Sequence, residues 1–161
     1  MEKPTNQFEQ FDNHNHAACI ETALGLAEQI CRNKGIRLTP LRREVLRLVW
    51  ENHRPVGAYQ LLEQLRLGSQ AKPPTIYRAL NFLQQAGLVH RLATLNAYIG
   101  CACPGDAQHG PFLICNRCQS LVELNATSVN TAIARCTEAV GFQVSSLIVE
   151  VHGLCPGCQE R

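Results

Sequence analysis

Two pairs of cysteines, each with the spacing Cys-x-x-Cys, place the strongest constraint on this chain of 161 residues. Cys115 and Cys118 form the first pair, and Cys155 and Cys158 form the second. Each turn presents two thiolates to one point, so two turns can complete the tetrahedral shell of four sulfur atoms that Zn²⁺ favours in structural sites. The alternative is a redox Cys-x-x-Cys of thioredoxin type, which needs only one pair. The sequence therefore predicts a structural zinc site, which we call the cysteine clip.

The other cysteines fit a reducing compartment. The chain holds nine cysteines, an odd number that makes a poor disulfide framework. The first sixteen residues lack an apolar stretch for a signal peptide, and no later run approaches the ~18–20 residues of a membrane span. We therefore expect a cytoplasmic protein without a membrane segment. Cys19, Cys31 and Cys136 are expected at small apolar positions of helices, and Cys103 has no assigned role.

The net charge of +2 hides an uneven distribution. Residues 34–94 contain ten basic and three acidic residues, a balance of +7, whereas residues 1–33 carry −3 and residues 95–161 carry −2. A compact basic segment between two mildly acidic ones indicates a module that meets a polyanion.

Apolar periodicity divides the chain into two parts with different predicted secondary structure. Helical spacing predicts four helices, over residues 17–33 and then from Pro40, Gly57 and Pro74. Thr39 supplies an N-cap for the second helix, and Gly87 is placed to end the fourth. Two short strands over residues 88–92 and 97–101 follow. Helices followed by a hairpin are the outline of a winged helix-turn-helix module.

The C-terminal part predicts a β-β-α-β unit. Strands are expected over residues 112–115, 120–124 and 142–151, and a helix over residues 128–140 that ends at Gly141. A unit of about 50 residues is too small for a comfortable independent core. We therefore expect it to need staples, a partner subunit, or both. The fold class is α+β, with an N-terminal winged helix-turn-helix domain and a small C-terminal α/β domain.

A second, looser group of metal-ligand residue types brackets the junction of the two parts. Its members are His90, Cys101, Cys103, His109 and Glu123, so that either Cys101 or Cys103 could supply a thiolate. Two neutral imidazoles, one thiolate and one carboxylate would balance Zn²⁺ at zero net charge, whereas four thiolates carry −2, so the mixed set is suited to reversible binding. The sulfur ligand favours zinc over ferrous iron. The alternative is that each histidine is an ordinary surface or core residue.

The fourth helix combines an apolar face with a face suited to reading DNA. Ile76, Leu80 and Leu83 share one side, which directs Thr75, Arg78 and Asn81 outward. Arginine can bond guanine edges with both arms of its fork, and threonine or tyrosine can meet phosphate or a thymine methyl. A solvated polar face is the alternative, but the surrounding basic segment favours double-stranded DNA.

Four stretches together resemble the ferric uptake regulator superfamily of bacterial metal-sensing repressors, and its zinc-responsive branch most closely. They are Leu38-Thr-Pro-Leu-Arg-Arg-Glu-Val-Leu, Ala71-Lys-Pro-Pro-Thr-Ile-Tyr-Arg-Ala-Leu, Phe112-Leu-Ile-Cys-Asn-Arg-Cys and Glu150-Val-His-Gly-Leu-Cys-Pro-Gly-Cys. The iron-sensing branch usually has a His-rich run before the first Cys-x-x-Cys. Here residues 108–111 contain a single histidine, His109, which argues against an iron sensor.

The resemblance implies a division into domains and a set of residue roles. It implies a winged-helix DNA-binding domain over 17–93, a hinge with metal ligands over 94–110 and a dimerisation domain over 111–161, after a mobile tail over 1–16. The clip cysteines match structural zinc ligands, and His90, Cys101, His109 and Glu123 match a regulatory zinc site. The positions expected to face DNA are Tyr59, Thr75, Tyr77 and Arg78. The positions expected to link two dimers are Glu63 and Arg66.

The expected function is a zinc-responsive repressor of zinc uptake genes, with two Zn²⁺ per subunit. We expect a homodimer on a near-palindromic operator, with two dimers per operator as a further option. One alternative is a repressor of the same superfamily that senses another metal or peroxide. A zinc-dependent or thiol-redox enzyme is the alternative from a different class.

Overall fold

The computed structural model describes residues 16–52, 54–66, 72–102, 104, 110–124 and 127–159. These residues divide into two compact units, with residues 16–104 in the first and residues 110–159 in the second. Residues 1–15 of the expected tail, Gly68, Cys103 and His109 lie outside the described residues. Residue 16, the last of the predicted tail, is instead the first residue of a helix.

The first unit contains four helices and three short strands. They are α1 (His16–Asn33), α2 (Pro40–Glu51), β1 (Val56–Gly57), α3 (Ala58–Arg66), α4 (Pro73–Ala86), β2 (Val89–Leu92) and β3 (Ala97–Gly100). The predicted caps are confirmed. The Thr39 side chain accepts a hydrogen bond from the Arg42 backbone N–H at the start of α2. Gly87 ends α4 in the left-handed conformation, with φ of 78°, which glycine adopts without steric cost.

The first unit has one apolar core and an antiparallel sheet in the order β1-β3-β2. Its most deeply buried side chains come from all four helices, and they include Leu24, Val45, Leu61, Leu80 and Leu83. The sequence did not predict β1, because two residues are too few to show a period of two. Since β3 pairs with β2, residues 97–100, which we assigned to the hinge, belong to the sheet of this unit.

The second unit contains three strands and two helices. They are β4 (Phe112–Cys115), β5 (Leu121–Glu123), α5 (Thr127–Ala139), β6 (Glu150–Gly153) and α6 (Pro156–Gln159). The sheet order is β5-β4-β6, with β5 antiparallel and β6 parallel to β4. The buried apolar side chains of this sheet are few, as expected for so short a segment, and they include Phe112, Ile114, Leu121 and Val122. The α+β class expected from the sequence is confirmed.

The prediction of a strand over residues 142–151 is wrong for most of that range. The strand β6 runs from Glu150 to Gly153, and its first residue pairs with Phe112, the first residue of β4. The Val149 carbonyl still accepts a hydrogen bond from the Phe112 backbone N–H at 2.8 Å. Residues 142–148 precede the start of β4, and among the described residues no strand lies beside them. Alternating apolar residues there reproduced the pattern of a strand without a neighbour to pair with.

The apolar side of α5 also differs from expectation. None of its residues is buried, and Cys136, which we expected at a small apolar position, is exposed. By contrast, Cys31 is buried in the first unit. No helix in the described part of the chain is long and apolar enough to cross a membrane.

Candidate metal centres and nucleic-acid interface

The cysteine clip forms at one end of the parallel pair β4 and β6. Cys115 is the last residue of β4, and it pairs with Gly153, the last residue of β6. The backbone N–H of Asn116 donates to the Gly153 carbonyl at 2.8 Å, which extends the pairing by one residue. Because both strands end together, the turn after β4 and the turn after β6 meet. The predicted convergence of the two Cys-x-x-Cys motifs is confirmed.

The clip has the dimensions of a tetrahedral sulfur site. The four sulfur atoms all lie within 4.8 Å of one another, and the sulfur atoms of Cys118 and Cys155 are 3.7 Å apart. A tetrahedral site with Zn–S bonds of about 2.3 Å has S···S edges of about 3.8 Å. The four side chains therefore fit a zinc ion, and among the described residues they are the only such group of three or more ligands.

Hydrogen bonds around the clip orient its sulfur atoms. The backbone N–H of Cys155 donates to the sulfur of Cys115 at 3.4 Å, a bond from one turn to the other. The hydroxyl of Ser120 lies 3.0 Å from the sulfur of Cys118. The first contact comes from the backbone of another clip cysteine and the second from Ser120, and both fix the positions of the sulfur atoms, as outer-shell partners do in metal sites.

The same contacts separate the pKa values of the thiols. Backbone N–H bonds from Cys118 and Cys155 lower the pKa of Cys115 to about 6. The Ser120 hydroxyl, followed by its backbone N–H, lowers the pKa of Cys118. A hydrogen bond with Cys155 and burial raise the pKa of Cys158 to about 12. Two sulfur atoms are thus prepared as thiolates, while a bound cation would have to displace a proton from Cys158.

Arg117 joins the two turns of the clip, a contact that the sequence did not predict. Its Nη1 donates to the Cys158 carbonyl at 2.7 Å, so the first Cys-x-x-Cys holds the backbone of the second. The position between Cys115 and Cys118 was visible in the sequence, but nothing local indicated that this side chain would reach the other motif.

Two of the four predicted regulatory ligands lie together in the first unit. His90 is 7% exposed and pairs with Ile99 across β2 and β3, whereas Cys101 is 2% exposed. The Cys101 backbone N–H donates to the Leu88 carbonyl at 3.0 Å, so the ladder continues one rung past β3. In this register His90 and Cys101 are diagonal neighbours on the same face of the sheet, at a Cα separation of about 7–8 Å.

The third described member of the set, Glu123, belongs to the second unit. It is the last residue of β5 and pairs with Phe112. One of its carboxylate oxygens accepts a hydrogen bond from the Gly110 backbone N–H at 3.3 Å. Gly110 follows His109 directly in the sequence, so Glu123 contacts the residue next to the fourth predicted ligand.

The structure gives α4 the two faces that the sequence predicted. Ile76, Leu80 and Leu83 are buried, while Arg78 and Asn81 are exposed and Thr75 is half-buried. Two tyrosines are also exposed, Tyr77 on α4 at 39% and Tyr59 on α3 at 68%. Glu63 is exposed on α3, and the side chain of Arg66 lies outside the described part.

Two arginines of the basic segment form ion pairs within the first unit. Arg43 pairs with Glu28 of α1 at 3.0 Å, and Arg47 pairs with both Glu44 and Glu51 of its own helix. The Arg47 hydrogen bond lowers the pKa of Glu44. Glu44 and Glu51 are already subtracted in the balance of +7, so only the pair with Glu28 lowers the charge available to a polyanion, from +7 to +6.

Comparison with known proteins identifies the family. A sequence model of the Ferric uptake regulator family matches residues 33–152. The protein belongs to this family. It is 40% identical to the zinc uptake regulation protein of Escherichia coli K12 over 139 residues. The alignment covers 85% of this chain and 81% of that protein.

Two solved structures of related proteins share the fold. A zinc uptake regulator complexed with zinc and DNA superimposes with a TM-score of 0.82 at 39% identity, over 88% of this chain and 95% of the other. Holo XcZur superimposes with a TM-score of 0.80 at 44% identity, over 87% and 99% of the two chains. The resemblance to the ferric uptake regulator superfamily, and to its zinc-responsive branch, is confirmed.

One contact beside the predicted regulatory ligands of this family member was also missed. The indole of Trp50, on α2, lies against Gly100 in β3. Two signals could have indicated it, because Trp50 is the only tryptophan of the chain and Gly100 interrupts a strand pattern directly before Cys101. Glycine inside a strand often marks a close approach by another group.

Proposed function

We propose that this member of the Ferric uptake regulator family is a zinc-responsive repressor that binds operator DNA and controls zinc uptake genes. The observation that carries the proposal is the likeness to a zinc uptake regulator complexed with zinc and DNA, at 39% identity and a TM-score of 0.82. The cysteine clip and the outward face of α4 supply the two chemistries that this function needs. The proposed DNA target implies action in the cytoplasm.

The clip is proposed as the structural zinc site. Cys115, Cys118, Cys155 and Cys158 would hold the ion, which would cross-link the turns after β4 and β6. The few buried side chains of the second unit support this role, because so small a core needs a staple. Cys118→Ser is expected to lose one zinc per subunit and to prevent a stable dimer. A stable Cys118→Ser dimer with one zinc fewer would show that the clip is not structural.

A second zinc per subunit is proposed for the regulatory set. His90 and Cys101 would contribute from the first unit and Glu123 from the second, and His109 would complete the set. Filling this set would stabilise one of two arrangements of the units, so that the paired recognition helices of a dimer match successive major-groove faces of a near-palindromic operator. Zinc would then act as corepressor, through a coupling free energy between the metal and DNA sites.

The DNA contacts are proposed for the outward face of α4 and for Tyr59. Arg78 and Tyr59 would read bases, with Thr75 and Tyr77 beside them at phosphate or thymine. Glu63 and Arg66 are proposed to link two dimers side by side on one operator. Their i, i+3 spacing also permits a pair within α3.

The homodimer is proposed to form through the second unit. Its exposed apolar side chains include Val140, at 78% exposure, Phe142, at 65%, and Val144 and Ile148. The helix α5 buries none of its residues and is half-buried along one side only, so the same unit leaves most of that helix uncovered. Exposed apolar clusters of this kind mark interfaces in proteins of ordinary composition.

The deciding experiment measures operator binding against free zinc. Wild-type protein should bind a near-palindromic duplex more tightly as zinc rises, and metal analysis should give two zinc ions per subunit. His90→Ala and Cys101→Ser should each lower the count to one and abolish the zinc dependence. If either variant binds DNA equally well with and without zinc, the regulatory assignment is wrong. A response to ferrous iron or peroxide in place of zinc would favour the other sensors of the family, and turnover of a thiol substrate would favour an enzyme.

A further inference from the structure

The indole of Trp50 occupies the space that a side chain at position 100 would need. A Cβ atom added to Gly100 would lie 2.6 Å from Nε1 and 2.9 Å from Cδ2 of Trp50, and closer still to Cε2. Separations below 3.0 Å are essentially never seen for real Cβ atoms. Gly100 has no unusual φ to explain its identity. The close approach of the indole therefore explains why glycine occupies this position.

This contact lies on the rung of the sheet between the two regulatory ligands of the first unit. Gly100 pairs with Val89, and the next residues along the two strands are Cys101 and His90. Side chains alternate between faces along a strand, so the indole covers the face opposite to the one that carries His90 and Cys101. Trp50 thus packs on the opposite face of the strand pair, at the Gly100–Val89 rung that separates His90 from Cys101.

The support is rigid because Trp50 belongs to the core of the unit. Its side chain packs against the buried cluster that includes Val49 and Val45 of the same helix. The helix α2 contacts both β3 and α4, the helix with the proposed DNA face. The position of β3 is therefore set from a helix that also packs against α4.

We propose that Trp50 and Gly100 form a positioning pair for the regulatory metal site. The indole against the bare Cα of Gly100 sets the spacing and register of β2 and β3, and through them the relative placement of the His90 imidazole and the Cys101 sulfur. The inference rests on the proposed function, since it takes His90 and Cys101 as zinc ligands. Neither Trp50 nor Gly100 touches the ion, and both act through the strand pair.

The test adds one methyl group at the contact. Gly100→Ala is expected to weaken zinc binding at the regulatory site about 10- to 100-fold, the usual effect of losing an outer-shell constraint, and to leave the clip zinc in place. Zinc affinity is measured on the full chain with a competing chelator that does not remove the clip zinc. The emission of Trp50, the only tryptophan, supplies a second readout, because zinc added to wild-type protein should change it along the same binding curve.

Matched variants separate positioning from general damage. Gly25→Ala adds the same methyl on α1, where a Cβ meets nothing within 4 Å, and should bind zinc as the wild type does. Leu80→Ala destabilises the same core away from the sheet. The double variant Trp50→Leu with Gly100→Ala removes the clash and should recover part of the lost affinity.

Each outcome bears on one claim. A folded Gly100→Ala protein with wild-type zinc affinity overturns the positioning pair, and so does an equal loss in Leu80→Ala or the absence of rescue in the double variant. If Gly100→Ala does not fold, the double variant carries the test. A folded double variant is expected to bind zinc more weakly than the wild type, and wild-type zinc affinity without the indole overturns the pair. Unchanged zinc binding in His90→Ala instead overturns the proposed regulatory site itself.

Discussion

Loss of the Arg117 side chain should speed the release of zinc from the cysteine clip. Its Nη1 donates to the Cys158 carbonyl at 2.7 Å and ties the turn after β4 to the turn after β6. A hydrogen bond from a charged donor contributes about 1.5–3 kcal/mol when protected from water. Because Arg117 is exposed, we reduce this to about 1–2 kcal/mol. Arg117→Ala is then expected to release zinc about 5- to 30-fold faster, at about 1.4 kcal/mol per factor of ten.

The assay follows zinc transfer to an excess of a chelator that changes absorbance on binding. Cys101→Ser serves as the background, so that only the clip zinc is counted. Arg135→Ala, which removes an exposed arginine from α5, is the matched control and should release zinc at the parent rate. Arg117→Lys keeps the charge without the planar fork and should fall between parent and alanine variant.

The reasoning is refuted if Arg117→Ala and Arg135→Ala release zinc at the same rate. The bond to Cys158 would then be one of the many exposed charged contacts that contribute nothing measurable. If Arg117→Lys released zinc as fast as Arg117→Ala, the fork geometry and not the positive charge near four thiolates would be responsible.

Four further changes in the first unit have different expected effects. Gly87→Ala should lower the free energy of unfolding by about 1–2 kcal/mol, because a Cβ is strained at a φ of 78°. Gly25→Ala within α1 should instead raise the free energy of unfolding by about 0.5–1 kcal/mol. Urea unfolding measures both changes. Leu80→Ala empties a fully buried core position and should cost about 2–5 kcal/mol of stability. Arg78→Ala on the exposed face of the same helix should leave stability unchanged and weaken operator binding by about 1–3 kcal/mol in a titration at fixed salt. Equal unfolding free energies for the two α4 variants would contradict this assignment of faces.

The elements predicted correctly are those whose signals are local in the sequence. Thr39 before Pro40 sets the start of α2, because the hydroxyl acceptor and the fixed proline φ act within one turn. Gly87 sets the end of α4 in the same way. The clip belongs to this class as well, because each Cys-x-x-Cys fixes half of its own geometry within four residues.

The elements predicted wrongly depend on partners far along the chain. The two residues of β1 become a strand only because β3 lies beside them. Residues 142–148 include residue types favoured in strands, yet β4 begins only at Phe112, too late to pair with them. On α5 the helical period was predicted correctly, but whether its apolar side is buried depends on what covers it.

The two proposed metal sites differ in how much of their geometry a sequence can contain. In the clip, each Cys-x-x-Cys turn brings its own two sulfur atoms together, and the bond from the Cys155 N–H to the Cys115 sulfur then joins the two turns. His90 and Cys101 are eleven positions apart, and they face the same way only in one register of β2 and β3. A slip of one residue would send Cys101 to the opposite face. Their usefulness as a ligand pair therefore depends on the contacts that hold that register. Among these contacts is the close approach of Trp50 to Gly100, for which the sequence offers a glycine within a strand but no local indication of its partner.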